Sequence, residues 1–597
     1  MPASSRKSGA TAAVSIGPQP APYRLAPRDA AILAMVLGLA ILLMAQSGFK
    51  RAVELTPWPD GLEYAAAALN LDSGKGGTLH FGGYSYPSRY TEGYPLILAA
   101  AYPILGHDVA NLGYATVALG MLAIIGLYVL TLDLFGRAAA IVASALLACS
   151  PIFITYSTLV LSDVPTLAIT ILAALALLRA TPAEEAPPAV RAAALVYWTI
   201  FGFLAGFTVM IRPTNLAILA GVAAALLAAP PIVLSPRRAL ALLCAFAIGF
   251  APMPAWQARQ NLAQLGSVFE SGYAWWVPEV YATFSRTFNA AYLFGPTMPR
   301  NPSGNLPVYL LSLCGLDGLM KAAGAPRFYL YPFSAAAFAV LGMVSAIRSS
   351  ENRAVRRIVF LGVFFLGALL AVYIFYVFTE IAFILPGCFI IFAAAGYGAA
   401  IANRRLAALW PKRRRSIGEH SIVAAVAILD LLLAIALAGE VADRIAVPPR
   451  QSEIVPALRA LDRSIDPGAE IVSNISLQFL ELYVPGRGRS FAGLHSFDPG
   501  GEFTDYHLSR LFVKKSQGWT GPIPPVLFDR AGMLATTAGS LASQARSGRP
   551  VYLLLWSAGD SDYAQVLKEE LDRLNDRFTL DETSRAGPLV LYRLQAR

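Results

Sequence analysis

The chain has 597 residues, 56% of them hydrophobic and only 14% charged, with a formal net charge of +10. Its mean hydropathy of +0.55 and sparse charge exclude an ordinary soluble domain, which carries about 25% charged residues, and describe an integral membrane protein. The basic residues gather in short loops, which fits membrane orientation and not nucleic-acid binding.

Residues 1–27 are rich in Ala, Ser and Pro and carry Arg6, Lys7 and Arg24, a composition that predicts a disordered, basic, cytoplasmic tail. The apolar run Ala30 to Gln46 exceeds a typical signal-peptide core and predicts an uncleaved first helix. Runs long enough to cross a bilayer recur at Val109–Leu130, Ala138–Tyr156, Thr158–Leu178, Ala192–Ile211 and Asn215–Val233. Further runs lie at Ala239–Trp256, Tyr329–Ile347, Ile358–Phe378, Ile381–Ile401 and Ile422–Ala438. With the first helix they make about eleven spans by the length rule. Tyr94–Leu105 is too short to cross and reads as a re-entrant or interfacial piece.

Alternate loops hold Arg137; Arg179 and Arg191; Arg237 and Arg238; Arg348 to Arg357; and Arg404 to Arg415. Basic loops stay cytoplasmic. That places the first loop (47–108), a second loop (257–328) rich in Trp, Tyr, Pro and Asn, and the tail (441–597) outside. The tail alternates strand-like runs (Glu470–Ser473, Val551–Trp556, Leu589–Arg593) with helical ones, which predicts a small α/β domain on the outer surface. The transmembrane part is then 28–440. The four cysteines, Cys149, Cys244, Cys314 and Cys388, form no CxxC pair and signal neither a disulfide framework nor a zinc site. No internal repeat is visible.

The outward side collects acids. Asp60 and Glu63 follow the first helix in Trp58-Pro59-Asp60-Gly61-Leu62-Glu63-Tyr64, Asp163 opens a span in Leu161-Ser162-Asp163-Val164-Pro165, and Glu380 sits in a tight turn. Arg212, in Ile211-Arg212-Pro213-Thr214-Asn215, is the base of the short outer turns. Packed helices would let these residues line one outward-facing cavity. Each also has a plainer reading. Asp60 and Glu63 fit a capping box. Asp163 fits a helix N-terminus, where an acid meets the dipole favourably. Glu380 reads as a solvated turn residue, and Arg212 as a headgroup anchor. Asp430 lies mid-span, where an acid is a functional candidate by default; with no partner in its own span it reads as a buried interhelical hydrogen bond. Tyr273, Trp275, Trp276 and Tyr281 cluster in the second outer loop, suited to gripping a sugar or a lipid chain, or to an interfacial aromatic belt. Gly486-Arg487-Gly488-Arg489 is too short for a nucleotide motif, and Asn474-Ile475-Ser476 matches a glycosylation acceptor of the kind that arises by chance.

Four stretches in this order and on this common side resemble the GT-C superfamily of membrane glycosyltransferases. The most similar branch holds the protein O-mannosyltransferases, the aminoarabinose transferases and the glycosyltransferases of lipopolysaccharide-core assembly. Pro59 to Tyr64 is similar to the acidic motif of their first outer loop. Arg89-Tyr90-Thr91-Glu92-Gly93-Tyr94-Pro95-Leu96 is similar to an RY-x-x-GYPLL stretch, Leu161 to Pro165 to the second acidic site, and Gly206 through Asn215 to an R-P-T segment. The resemblance covers about residues 28–440. Relatives often carry an acid, then Arg, before Phe-Leu-Leu-Pro; here Thr379-Glu380-Ile381-Ala382-Phe383-Ile384-Leu385-Pro386 has Ala382 at the arginine position.

The resemblance implies transfer of a sugar from a polyprenyl-phosphate donor to a hydroxyl of a glycan, lipid or protein acceptor, with inversion, on the outer side of the membrane; the short outer turns and Ala-rich composition point to a bacterial inner membrane, with a eukaryotic endoplasmic reticulum as the alternative. The resemblance also implies Asp60, Glu63 and Asp163 as catalytic acids, with Asp60 as base. Arg212 and Arg89 would meet the donor phosphate, and Tyr64, Tyr94, Glu380, Trp275 and Trp276 would bind substrate. A divalent cation held by the acids stays open, since relatives differ. A transporter or flippase of lipid-linked sugars, and an inactive relative that binds glycan lipids, are the alternatives; the absence of a repeat weighs against the transporter, and Asp60 with Asp163 weighs against the inactive relative.

Overall fold

The computed structural model describes residues 26–53, 60–81, 84–106, 108–180, 188–228, 236–276, 278–281, 283–298, 301–317, 329–348, 353–409, 454–473, most of 480–493, 543–556 and 578–597, with isolated positions between 425 and 436 and at 575. Asp430, Asn474-Ile475-Ser476, Gly486 and the side chains of Trp275 and Trp276 lie outside the described residues.

Among the described residues six helices are long and apolar enough to cross a membrane, seven if one bent pair counts as a single span. Of the other runs expected from the sequence, those at 215–233 and 329–347 show shorter apolar helices among the described residues. The first helix, α1, is Pro27–Val53. Outside it the chain forms a short helix, α2 (Asp60–Asp72), a hairpin of β1 (Leu79–Phe81) with β2 (Tyr84–Tyr86), and α3 (Gly93–Leu105). At 13 residues α3 is too short to span, as its apolar run indicated.

The bundle continues through α4 (Gly113–Phe135), α5 (Arg137–Ala148), α6 (Pro151–Ser157), α7 (Asp163–Arg179) and α8 (Pro188–Ile211). The expected span 138–156 is broken by 63° between α5 and α6. Pro151 lacks the N–H that would continue α5, and Ser150 Oγ donates to the Leu330 carbonyl at 2.7 Å, fixing the kink. α4 packs against α1, α5 and α7, and α7 against α8. Because α7 and α8 run antiparallel, Asp163 at the start of one meets the end of the other at Arg212.

Two ion pairs mark the opposite end of this group. Arg137 grips Asp29 through two nitrogens, and Tyr128 donates to the same carboxylate at 3.2 Å. Arg179 pairs with Asp133 at 2.5 Å. A further helix, Phe389–Leu409, follows a 3-10 stretch, Ile381–Cys388, in which Ala382 is fully buried; the expected span 422–438 lies almost wholly outside the described residues. The helix at Pro252–Leu265 runs past the expected start of the second outer loop at residue 257, since Gln257 to Gln264 contains no helix breaker.

That loop is bound to the turn between the spans Arg353–Tyr373 and Ile381–Leu406. Val377 N donates to Thr287 O at 3.0 Å, Met298 N to Val377 O at 2.9 Å, and Thr379 N to Met298 O at 2.7 Å. Thr297, Asn301, Asn305 and Thr379 join their side chains in a buried network beneath it. The tail forms a five-stranded sheet in the order β4-β3-β5-β7-β6, with β3 (Glu470–Ser473), β4 (Ser490–Gly493) and β5 (Val551–Trp556) parallel and β6 (Phe578–Ala586) and β7 (Leu589–Ala596) antiparallel. Arg489, of the Gly486–Arg489 stretch, is buried and binds Asp462 and the Ile465 carbonyl, a structural staple.

Candidate active site

Two buried acid–arginine pairs form the base of the site. Arg89 Nε donates to Glu63 Oε1 at 2.7 Å, and its Nη2 lies 2.6 Å from the same oxygen. Arg212 meets Asp163 through both terminal nitrogens, Nη1 to Oδ1 at 2.7 Å and Nη2 to Oδ2 at 3.1 Å. Planar guanidinium and carboxylate match in this two-pronged way. Burial acts against the Arg212 charge, the Asp163 carboxylate overrides it, and the pKa moves up. At Glu63, burial pushes the carboxyl up while Arg89 holds it down.

These contacts decide among the plainer readings. Asp60 is the first residue of α2, and Glu63 turns into the core toward Arg89 instead of reaching back to the start of the helix, so the reciprocal capping box is not made. The charge-assisted bond to Arg89 is about twice as strong as a neutral one and outcompetes a backbone N–H. Asp163 opens α7 but spends its carboxylate on Arg212. Arg212 is no headgroup anchor, with its guanidinium packed 5.1 Å from the Phe383 ring centroid. Glu380 is half-buried, and Tyr156 hydrogen-bonds its side chain, unlike a solvated turn residue.

Above the pairs, eight side chains close into a ring. Tyr64 packs at a tilt on Tyr90 at 4.3 Å, Tyr90 meets Tyr273 edge-on at 5.4 Å, and Tyr273 packs at a tilt on Tyr281 at 4.9 Å. The Tyr281 and Tyr376 hydroxyls are 3.1 Å apart, and Tyr376 meets Phe383 edge-on at 5.8 Å. Phe383 carries Arg212, whose Nε donates to Ser162 Oγ at 2.9 Å, and Tyr64 OH donates to the same oxygen at 3.2 Å. Burial pushes the Tyr64 and Tyr90 phenols well above the usual range, so both stay protonated donors near neutral pH.

Asp60 is half-buried and has no hydrogen bond or ion pair among the described residues. Its charge acts on Glu63, Tyr64, Tyr90, Asp163, Tyr273 and Tyr281, so it lies close to both pairs and to the aromatic ring. Tyr94 lies deeper, fully buried and bonded to Thr116 at 2.5 Å, with its ring edge against Tyr64. Among the described residues no three His, Cys, Asp or Glu side chains gather closely enough to hold a metal ion.

Two glycines set the spacing. A Cβ on Gly93 would lie 2.5 Å from the Ile211 backbone nitrogen, and one on Gly272 would lie 1.9 Å from the Ser88 carbonyl. The first close approach brings the Arg89–Leu96 stretch against the end of α8; the second brings the second outer loop, with Tyr273, against Arg89. Glu92 fastens the same region. It is buried, accepts from Trp256 Nε1 at 2.7 Å and from Gly77 N at 3.2 Å, and its own N–H donates to Gln257 Oε1 at 2.9 Å.

The motifs thus pointed to Asp60, Glu63, Tyr64, Arg89, Asp163 and Arg212, which the fold brings together. They gave no role to Ser162, Tyr90, Glu92, Tyr376 or Phe383. Ser162, Tyr90, Glu92 and Phe383 lie inside stretches already singled out. Tyr376 has no local signal, since only long-range pairing of the outer loop brings it in.

Residues 93–256 match the family model described as dolichyl-phosphate-mannose-protein mannosyltransferase. Among solved structures, ArnT from Cupriavidus metallidurans bound to undecaprenyl phosphate is similar at a TM-score of 0.60 and 12% identity, covering 94% of this chain and 98% of that one. The apo state of the same protein gives 0.59 at 13% identity, with 95% and 98% covered. An oligosaccharyltransferase from Archaeoglobus fulgidus in its apo form gives 0.48 at 13% identity, with 88% of this chain and 69% of that one covered. No curated protein matches the sequence. At such identity the likeness to ArnT establishes the fold, and it extends over nearly the whole of both chains. The GT-C resemblance read from the motifs is borne out.

Proposed function

We propose that the chain transfers a sugar from a polyprenyl-phosphate donor to an acceptor hydroxyl on the outer side of the membrane, by an inverting displacement with Asp60 as general base. The observation that carries this reading is the division of labour among the three acids. Glu63 and Asp163 each hold an arginine, while Asp60 keeps its carboxylate free of hydrogen-bond and ion-pair partners among the described residues. A base must be free to accept the proton.

The acceptor oxygen bonds to the anomeric carbon as its proton passes to Asp60. The bond from that carbon to the phosphate oxygen breaks, and the electron pair leaves with the polyprenyl phosphate, already a stable anion. Of the five N–H donors of a guanidinium, Ser162 and Asp163 engage three at Arg212, leaving two for a phosphate. Arg212 rests on Phe383, the residue after Ala382, and so supplies positive charge close to the position where relatives often carry theirs. Arg89 adds a second one across the ring. The carboxylates of Glu63 and Asp163 also favour positive charge developing on the sugar. Tyr64, Tyr90, Tyr273 and Tyr281 offer aromatic faces and hydroxyls to a sugar ring, with Trp275 and Trp276 beside Tyr273 in the chain and Glu380 four residues after Tyr376.

The mannosyltransferase description of the matching family and the undecaprenyl phosphate bound to ArnT both support a lipid-linked donor. The topology that goes with the reading has the N terminus and the Asp29–Arg137 end in the cytoplasm of a bacterium, and the site with the 441–597 domain outside the inner membrane. The test supplies radiolabelled polyprenyl-phosphate sugars singly to the purified protein in nanodiscs with membrane extract as acceptor. Transfer of label identifies donor and acceptor together. Protein-dependent movement of labelled lipid across a sealed bilayer, without transfer, would replace this reading with the flippase.

A further inference from the structure

We propose that Ser162 is a positioning residue that couples the first outer loop to the phosphate-binding arginine. Ser162 precedes α7 at the position where serine ordinarily caps the helix by accepting an N–H of the first turn. Here it makes no such bond. Its hydroxyl is fully buried and accepts instead from Tyr64 OH at 3.2 Å and from Arg212 Nε at 2.9 Å. A helix that forgoes its cap is stabilised elsewhere, in this case by Asp163 and its arginine.

The consequence is geometric. Asp163 grips Arg212 from one edge only and leaves the guanidinium able to swing about that edge; the bond from Nε to Ser162 is a third point that fixes its plane. The same oxygen holds Tyr64, one turn from Asp60 on α2. Ser162 therefore sets the distance between the proposed base and the proposed phosphate site without touching a reacting atom. This rests on the transferase reading for its functional meaning, but not for the coupling itself.

Two variants separate hydrogen bonding from packing. Ser162→Ala removes the acceptor; Ser162→Cys keeps the volume and offers sulfur, a weak acceptor. Both are expected to raise KM for the lipid-linked donor about tenfold, the loss of one hydrogen bond to a charged group, and to leave the fold intact. A Cys variant that behaves as wild type would reduce Ser162 to a packing residue and overturn the proposal. A second measurement needs no donor. Thermal midpoints of Tyr64→Phe, Arg212→Lys and the double variant are expected to be non-additive with Ser162 present and additive in a Ser162→Ala background. Additivity in the presence of Ser162 overturns the coupling even if transfer is observed. Coupling without transfer by the wild type would instead overturn the transferase reading and leave Ser162 as a structural link.

Discussion

Asp60 and Asp163 make opposite predictions when each is changed to asparagine. Asp163 is 1% exposed and meets both terminal nitrogens of Arg212, whose side chain is 18% exposed. Asp163→Asn leaves that cation buried and uncompensated, a loss of about 3–5 kcal/mol for a broken buried pair. Asp60→Asn breaks no hydrogen bond or ion pair among the described residues, so its effect should stay within about 0.5 kcal/mol. Thermal unfolding of the purified protein by intrinsic fluorescence measures both. Asp163→Asn should lower the midpoint by several degrees, and adding Arg212→Gln should recover part of the loss, because no lone charge then remains. Activity should not follow stability: transfer should fall by orders of magnitude in both variants although only one is destabilised. Equal stability of Asp163→Asn and wild type, or equal destabilisation by the two single changes, would refute this account of the site.

Other expectations follow from single contacts. Glu92→Ala should cost about 1–3 kcal/mol in the same assay, since it strands the buried Gly77 N–H and removes the acceptor of Trp256 Nε1; Glu92→Gln should cost less, keeping one acceptor oxygen. Burial raises the Glu92 pKa, so the folded state holds that proton more tightly than the unfolded chain does. The wild-type midpoint should therefore drop as pH rises through the raised pKa, and a pH series on Glu92→Gln should lack that drop. Gly272→Ala should push the second outer loop off Ser88 and weaken donor binding, read as a higher KM in the transfer assay. Tyr376→Phe removes the hydroxyl contact to Tyr281 and should raise KM with little change in the thermal midpoint.

Much of this was legible in the sequence because a membrane imposes long apolar runs and alternating basic loops. Among the described residues six of those runs fold as helices long and apolar enough to cross, whereas Ala138–Tyr156 split at Pro151 and Asp163–Arg179 ended at 17 residues. Apolar length alone marks where a run begins and ends in lipid but not where proline or packing breaks the helix within it. The acids and arginines were legible as a set because charge is rare in such a chain. Their pairing was not: Glu63 with Arg89 spans 26 positions and Asp163 with Arg212 spans 49, distances at which only packing chooses partners. Ser162 looked like a helix cap, and its local propensity was overridden by two donors arriving from elsewhere in the fold.

The most direct test measures transfer rate and donor affinity together for wild type and Asp60→Asn with one active lipid-linked sugar. The account predicts unchanged donor affinity and a rate lowered about 10²–10⁴-fold, the contribution of a positioned general base. An Asp60→Asn enzyme that turns over at the wild-type rate would contradict it.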